Sequence, residues 1–329
     1  MNTSRHEMPR HSRSHGTLLL PALLLSQVGQ GLTFVILVGV LPQISAHFGG
    51  GTTGELIAQQ MIALPFLGIA LGGLLSVWAI RRFGLRQTIL GGSALFTVAG
   101  SVPMWTDGAW PILSGCLLLG VGAALVVSAM SGMVGEFFEG LAASRIISLQ
   151  VAVAIFTAAA VGLGVAYAAE TWGWRAPFAG YVLVGGVTFV VSMIALPDIR
   201  PETGPNEGLW SLLSRGALGF ALGFLAFVVF TAHPSLTPFL MEQHGIERPV
   251  ERQFYMTLAT IATFVGSLVY AFAQGRVPRR GLTASAFVAL ACGLATFATW
   301  TGSPSAMAAG QLVFGLGLDW QSRGFTRKP

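Results

Sequence analysis

The sequence predicts an all-α membrane protein built of helical bundles. Six helices fall in an N-terminal half and about four in an incomplete second half. Three observations predict this. Of 329 residues, 53% are hydrophobic and only 9% charged, against about 25% charged in soluble domains. The mean hydropathy is +0.70. Apolar runs near 20 residues, the length that crosses the hydrocarbon core as a helix, recur along the chain with charges confined to the breaks. A central Arg or Asp costs about 2.5–3.5 kcal/mol to insert, which accounts for that confinement.

The elements follow in order. Residues 1–16 form a polar, basic tail. The run after it is too long for a signal-peptide core and lacks a small-residue cleavage site, so it is a retained first span. The predicted spans cover 17–41, 55–80, 87–105, 109–137, 143–169 and 176–197, then 211–240, 252–274, 282–301 and 304–318. "LPDIRPETGPNEGLW" (196–210) carries three prolines and two glycines. It reads as a linker, which divides the chain into a bundle over 17–197, a linker over 198–210, an incomplete bundle over 211–318 and a polar tail over 319–329.

With the N-terminus inside, twelve arginines lie in cytoplasmic segments, among them Arg81, Arg82, Arg86, Arg145, Arg200 and Arg280. Arg175, Arg248 and Arg252 lie outside, and the last three basic residues lie in the tail. This is a positive-inside bias. The predicted location is a bacterial inner membrane, N-terminus cytoplasmic, with the lipid bilayer as partner.

Composition and motifs exclude several classes. Lys328 is the single lysine, so the body of the chain holds no Walker A loop. No dinucleotide fingerprint, Gly-x-Ser-x-Gly elbow or zinc-protease helix occurs, and neither an enzyme, a cofactor nor a metal is predicted. The net charge of +5 comes from clusters between apolar runs and does not point to nucleic acid. Cys116 and Cys292 sit inside apolar segments and read as two buried thiols.

An internal repeat supports the two halves. Pro42 and Gly49 recur as Pro238 and Gly245, Gly84-Leu85 as Gly281-Leu282, and Gly120 and Gly122 as Gly315 and Gly317, at offsets of 195 to 197. Repeated halves are a recurring design of secondary transporters. The counterparts of spans five and six are missing, so the tail is expected to be a truncated or frameshifted end.

Four stretches carry a family resemblance. "RRFGLRQ" is similar to the Asp-Arg-x-Gly-Arg-Arg turn between spans two and three of the major facilitator superfamily, with Arg82, Gly84 and Arg86 matching. Arg81 stands where that family usually has Asp, and Val77 where it usually has Gly. "TWGWRAPF" is similar to its Gly-Trp-Arg-x-x-Phe stretch before span six, through Gly173, Trp174, Arg175 and Phe178. "GCLLLGVGAAL" resembles its span-four signature through Gly120 and Gly122, with Cys116 at the Arg position. "AAAVGLG" (158–164) resembles its span-five signature without Gly-Pro. The resemblance implies two bundles that expose a central solute site alternately to the two faces, with efflux as the direction and a proton or ion as possible coupling partner. Arg81 and Cys116 imply that the family's cytoplasmic charge relay and standard proton antiport do not operate in their usual form.

Two readings of the loop arginines stand. Either Arg82 or Arg86 pairs with Glu136, beside Glu139, when the cytoplasmic side is closed, as part of a gating loop with Arg81 and Gly84, or the arginines set topology and meet lipid phosphates. Two readings also stand for the polar groups inside spans: Gln27, Gln30, Gln59, Gln60, Ser128, Gln150 and His233. Buried amides need partners. These groups either tie helices together or form a hydrogen-bonding wall for a small neutral or amphipathic solute. Gly162, Gly164 and Ala158–Ala160 predict a slim span five that contacts another helix. His6, His11 and His15 read as a solvated tail. The expected function is transport of a small organic solute. The alternative is a truncated, transport-inactive remnant of such a carrier.

Overall fold

The computed structural model describes residues 16–138, 140–200, 236–273, 288–289, 291–296 and 303–324. Among them every regular element is helical. The helices are α1 (Gly16–His47), α2 (Gly51–Phe83), α3 (Leu85–Trp105), α4 (Ala109–Phe137), α5 (Gly140–Trp172) and, after a single 3₁₀ turn at Ala176–Phe178, α6 (Ala179–Ala195). Four more follow: α7, described over 236–243, α8 (Pro249–Ala273), α9, described within 288–296, and α10 (Pro304–Gly324). The segments of α1–α6 include six stretches long and apolar enough to cross a membrane. The 33 residues of α2 span about 50 Å at 1.5 Å per residue. That exceeds a hydrocarbon core of about 30 Å, so its Arg81–Arg82 end stands clear of the apolar layer. Trp105, Trp110 and Trp172 are exposed at the opposite end, as in a membrane-interface belt.

Helix α4 is the centre of the first six helices and packs broadly on α2 and α3. Its glycines explain why. Successive helical residues turn about 100°, so Gly120 and Gly122 face different neighbours. A methyl on Gly120 would overlap the Pro65 carbonyl of α2, whereas one on Gly122 would lie 2.7 Å from the Phe96 amide nitrogen of α3. On α2, Gly68 and Gly72 present a small-xxx-small face to α4, the pattern that lets helix backbones touch in lipid. The span-four signature is a packing device.

The repeat is visible in hydrogen bonds. At the end of α1, Gly49 and Gly50 donate to Ala46 and Ser45. At the end of α7, Gly245 and Ile246 donate to Glu242 and Met241. Both are Schellman caps, and both place a glycine at positive φ, 92° at Gly49 and 86° at Gly245. Gly315 of α10 lies against the Ala259 carbonyl of α8 as Gly120 lies against Pro65.

Three expectations change. Cys292 is exposed while Cys116 is buried, because Cys292 sits on the outward side of α9. Gly164 has nothing within 4 Å of a notional methyl, so it makes no helix contact, whereas Gly162, two residues earlier, does. Helix α10 continues to Gly324 beyond the predicted end at 318. Hydropathy marks where an apolar run stops, while the backbone ladder continues into polar residues. Residues 1–15, with His6, His11 and His15, and residues 201–235, 274–287, 290, 297–302 and 325–329 lie outside the described residues, as do His233 and Glu139.

Candidate functional site

The residues of the loop and Trp-Arg motifs do the same work at opposite ends of the first six helices. A helix leaves its last carbonyls without intrahelical donors, and a cation there is favourable. Arg86 Nη2 donates to the Met193 carbonyl in the last turn of α6 at 2.6 Å. Arg175 Nε donates to the Pro103 carbonyl in the last turn of α3 at 3.2 Å. Gly84, at φ 88°, closes the α2–α3 turn, and the next amide, Leu85, donates to the Ile199 carbonyl at 2.9 Å. Arg82 lies 6.0 Å from the Phe83 ring centre.

In this conformation neither Arg82 nor Arg86 is ion-paired with Glu136, which is exposed. The orphan carbonyl of α6 claims Arg86 instead. Arg86→Ala is expected to lower thermal stability by about 1 kcal/mol, with Arg86→Lys intermediate, measured by unfolding in detergent. An unchanged melting curve would remove the capping role.

At the other end, Arg175 also pairs with Asp107 and stacks 4.7 Å from the Trp174 ring centre. His47 Nε2 lies 3.5 Å from the same Asp107 carboxylate. Gly173 takes φ 87°, and Phe178 is buried with its ring 5.9 Å from Tyr181. Tyr181 Oη donates to the Thr33 carbonyl of α1 at 2.8 Å. These contacts clamp α1, α3 and α6 together.

Two partly open cavities lie between the helices. One, a narrow gap of about 20 Å³, is bounded by Ser26 and Gly29 of α1, Ser93 and Phe96 of α3, Val126 of α4 and Thr188 of α6. The other, of about 120 Å³, is bounded by Thr33 of α1, Ile69 and Gly73 of α2, and Ala124, Val127 and Ser128 of α4. The hydroxyls of Ser26, Thr33 and Ser93 donate to carbonyls of their own helices, so their oxygens keep acceptor capacity.

The polar residues singled out by sequence separate here. Ser128 lines the larger cavity. Gln150 Nε2 donates to the Leu23 carbonyl at 3.0 Å and ties α5 to α1. Gln27 is buried, Gln59 half-buried and Gln60 exposed. Gln30 sits on α1 with its side chain outside the described residues.

Sequence reasoning missed Thr33, Gln253, Gln311 and Tyr181. Gln253 and Gln311 are buried amides of α8 and α10, and Gln311 occupies the repeat position of Cys116. Their polarity within apolar runs was the available signal.

A search of curated proteins found no match. Among solved structures, a D-xylose–proton symporter is 14% identical, with TM-score 0.71 over 93% of this chain and 81% of that one. The xylose transporter XylE from E. coli, in a partially occluded inward-open conformation, is 15% identical, with TM-score 0.68 over 94% and 85%. The nucleoside transporter NupG is 11% identical, with TM-score 0.67 over 92% and 81%. At these identities the likeness is one of fold. The family model described as Major Facilitator Superfamily matches residues 23–322. With its membrane-length helices and its repeated halves, the chain is a multi-pass membrane protein and belongs to the Major Facilitator Superfamily of transporters.

Proposed function

We propose that this chain carries a small neutral or amphipathic organic solute across a bacterial inner membrane by alternating access, with its N-terminus cytoplasmic and export as its direction. The observation that carries the reading is the Thr33–Ser128 cavity between α1, α2 and α4. Its wall mixes apolar surface with hydroxyl groups, which suits a solute with donor groups of its own. No Asp or Glu lies near the middle of a predicted span, Glu55 and Glu136 standing at span ends, and none lines this cavity, so the wall carries no fixed negative charge to select a cation. The structural neighbours named for xylose and nucleosides handle neutral, hydroxylated solutes. A proton or ion gradient supplies the drive in this proposal.

The test uses the full chain in proteoliposomes. Counterflow of labelled pentoses, nucleosides and neutral amphipathic drugs is compared with protein-free vesicles, with and without an imposed pH or ion gradient. Saturable counterflow that is lost in Ser128→Trp, a variant that fills the cavity, is the expected result. No counterflow above the protein-free level for any of these solutes would overturn the reading and leave the inactive-remnant alternative.

A further inference from the structure

The charge contact expected from the sequence was at the arginine loop. The structure places one at the opposite end, across the two halves of the chain. Arg248, just before α8, donates through Nε at 3.0 Å and Nη2 at 2.8 Å to one carboxylate oxygen of Glu170 at the end of α5.

Below this pair, the buried Gln253 of α8 enters a notch made by two glycines. A notional methyl on Gly162 of α5 would lie 2.5 Å from Gln253 Nε2, and one on Gly39 of α1 would lie 3.9 Å from Gln253 Oε1. The two contacts are one helical turn apart on the α8 side. The first is charged and half open to solvent; the second is steric and dry. Helix α8 lies on α5 and α1 through this seam.

We propose that the Glu170–Arg248 pair and the Gln253 wedge in the Gly39–Gly162 notch act together as a latch that holds the two halves closed at the Asp107 end. This deepens the transport reading above by naming the contacts that bias its conformational equilibrium. An exposed ion pair is modest in strength, so the latch shifts a population and does not lock it. Gly162 makes the closure specific, because a side chain there would meet Gln253, whose Oε1 lies in ordinary contact range of a notional methyl on Gly39.

Accessibility labelling in lipid nanodiscs tests the latch without needing a transported solute, so its outcome is separable from that of the flux assay. Thr257, buried one turn beyond Gln253, is replaced by Cys in a chain whose Cys116 and Cys292 are Ala, and is labelled with a polar maleimide. Glu170→Arg and Arg248→Glu are each expected to speed labelling about two- to fivefold, and the double reversal to restore the parent rate. Gly162→Leu speeds it with the ion pair intact. For the unmutated pair, raising salt from about 0.1 to 1 M, which shortens the Debye length from about 10 to 3 Å, speeds it too. Unchanged labelling in both single reversals and at high salt overturns the proposal, as does a double reversal that labels as fast as the singles.

Discussion

Gly120→Val is expected to cost about 3 kcal/mol, the upper end of ordinary overpacking. It should appear as loss of the monodisperse species and a lower unfolding temperature in detergent. The reason is backbone meeting backbone. The added Cβ overlaps the Pro65 carbonyl, and on the facing helix Gly68 meets the Leu117 carbonyl in the same way. A flexible side chain could rotate away from such a clash, but a carbonyl in a helix ladder cannot. Relief needs α2 and α4 to separate, which gives up the close packing that holds helices together in lipid. Gly164→Ala is the control, since nothing lies within 4 Å of its Cβ. It should leave stability unchanged or raise it by the helix propensity of Ala over Gly, about 1 kcal/mol. Equal behaviour of the two variants would show that α4 does not need its glycine.

Tyr181→Ala is expected to cost about 3–5 kcal/mol, as for a large aromatic removed from a core. Tyr181 is fully buried. Its side chain lies over Gly100, whose notional Cβ would be 2.5 Å from the Tyr181 Cβ. Its ring meets Phe96 edge-on at 5.5 Å between centres. Tyr181→Phe keeps the ring and loses the bond to the Thr33 carbonyl, at about 1 kcal/mol. Thermal unfolding of the pair separates the two contributions. If Phe costs as much as Ala, the hydrogen bond rather than the packing holds α6 to α1.

Much of the fold was legible because membrane insertion is read locally. The length and hydropathy of each run place a helix whatever its neighbours are. The repeat was legible for a related reason. Gly49 and Gly245 mark helix ends, with Pro42 and Pro238 inside the helices before them, and helix ends have local chemical requirements such as the positive φ of the Schellman glycine. The site was less legible. Ser128 was found as a hydroxyl inside a span, but Gln150, equally polar, ties α5 to α1. Polarity says that a group needs a partner; it does not say whether the partner is a helix or a solute. Thr33 was passed over because a threonine that bonds its own helix leaves no mark in an apolar run.

The sequence by itself determined that the chain crosses a membrane repeatedly, where the helices start and stop to within a turn or two among the described residues, and that its halves share a plan. Those properties depend on transfer free energy summed over about 20 consecutive residues. Only the tertiary structure decided what the motif residues do. Arg86 could have met Glu136, and it meets the end of α6 instead. Arg248 and Glu170 meet across the two halves, and Gln253 finds a notch built by glycines on two other helices. A hydrogen bond or a close approach is set by ångström-scale distances between residues far apart in the chain, and hydropathy carries no information on that scale.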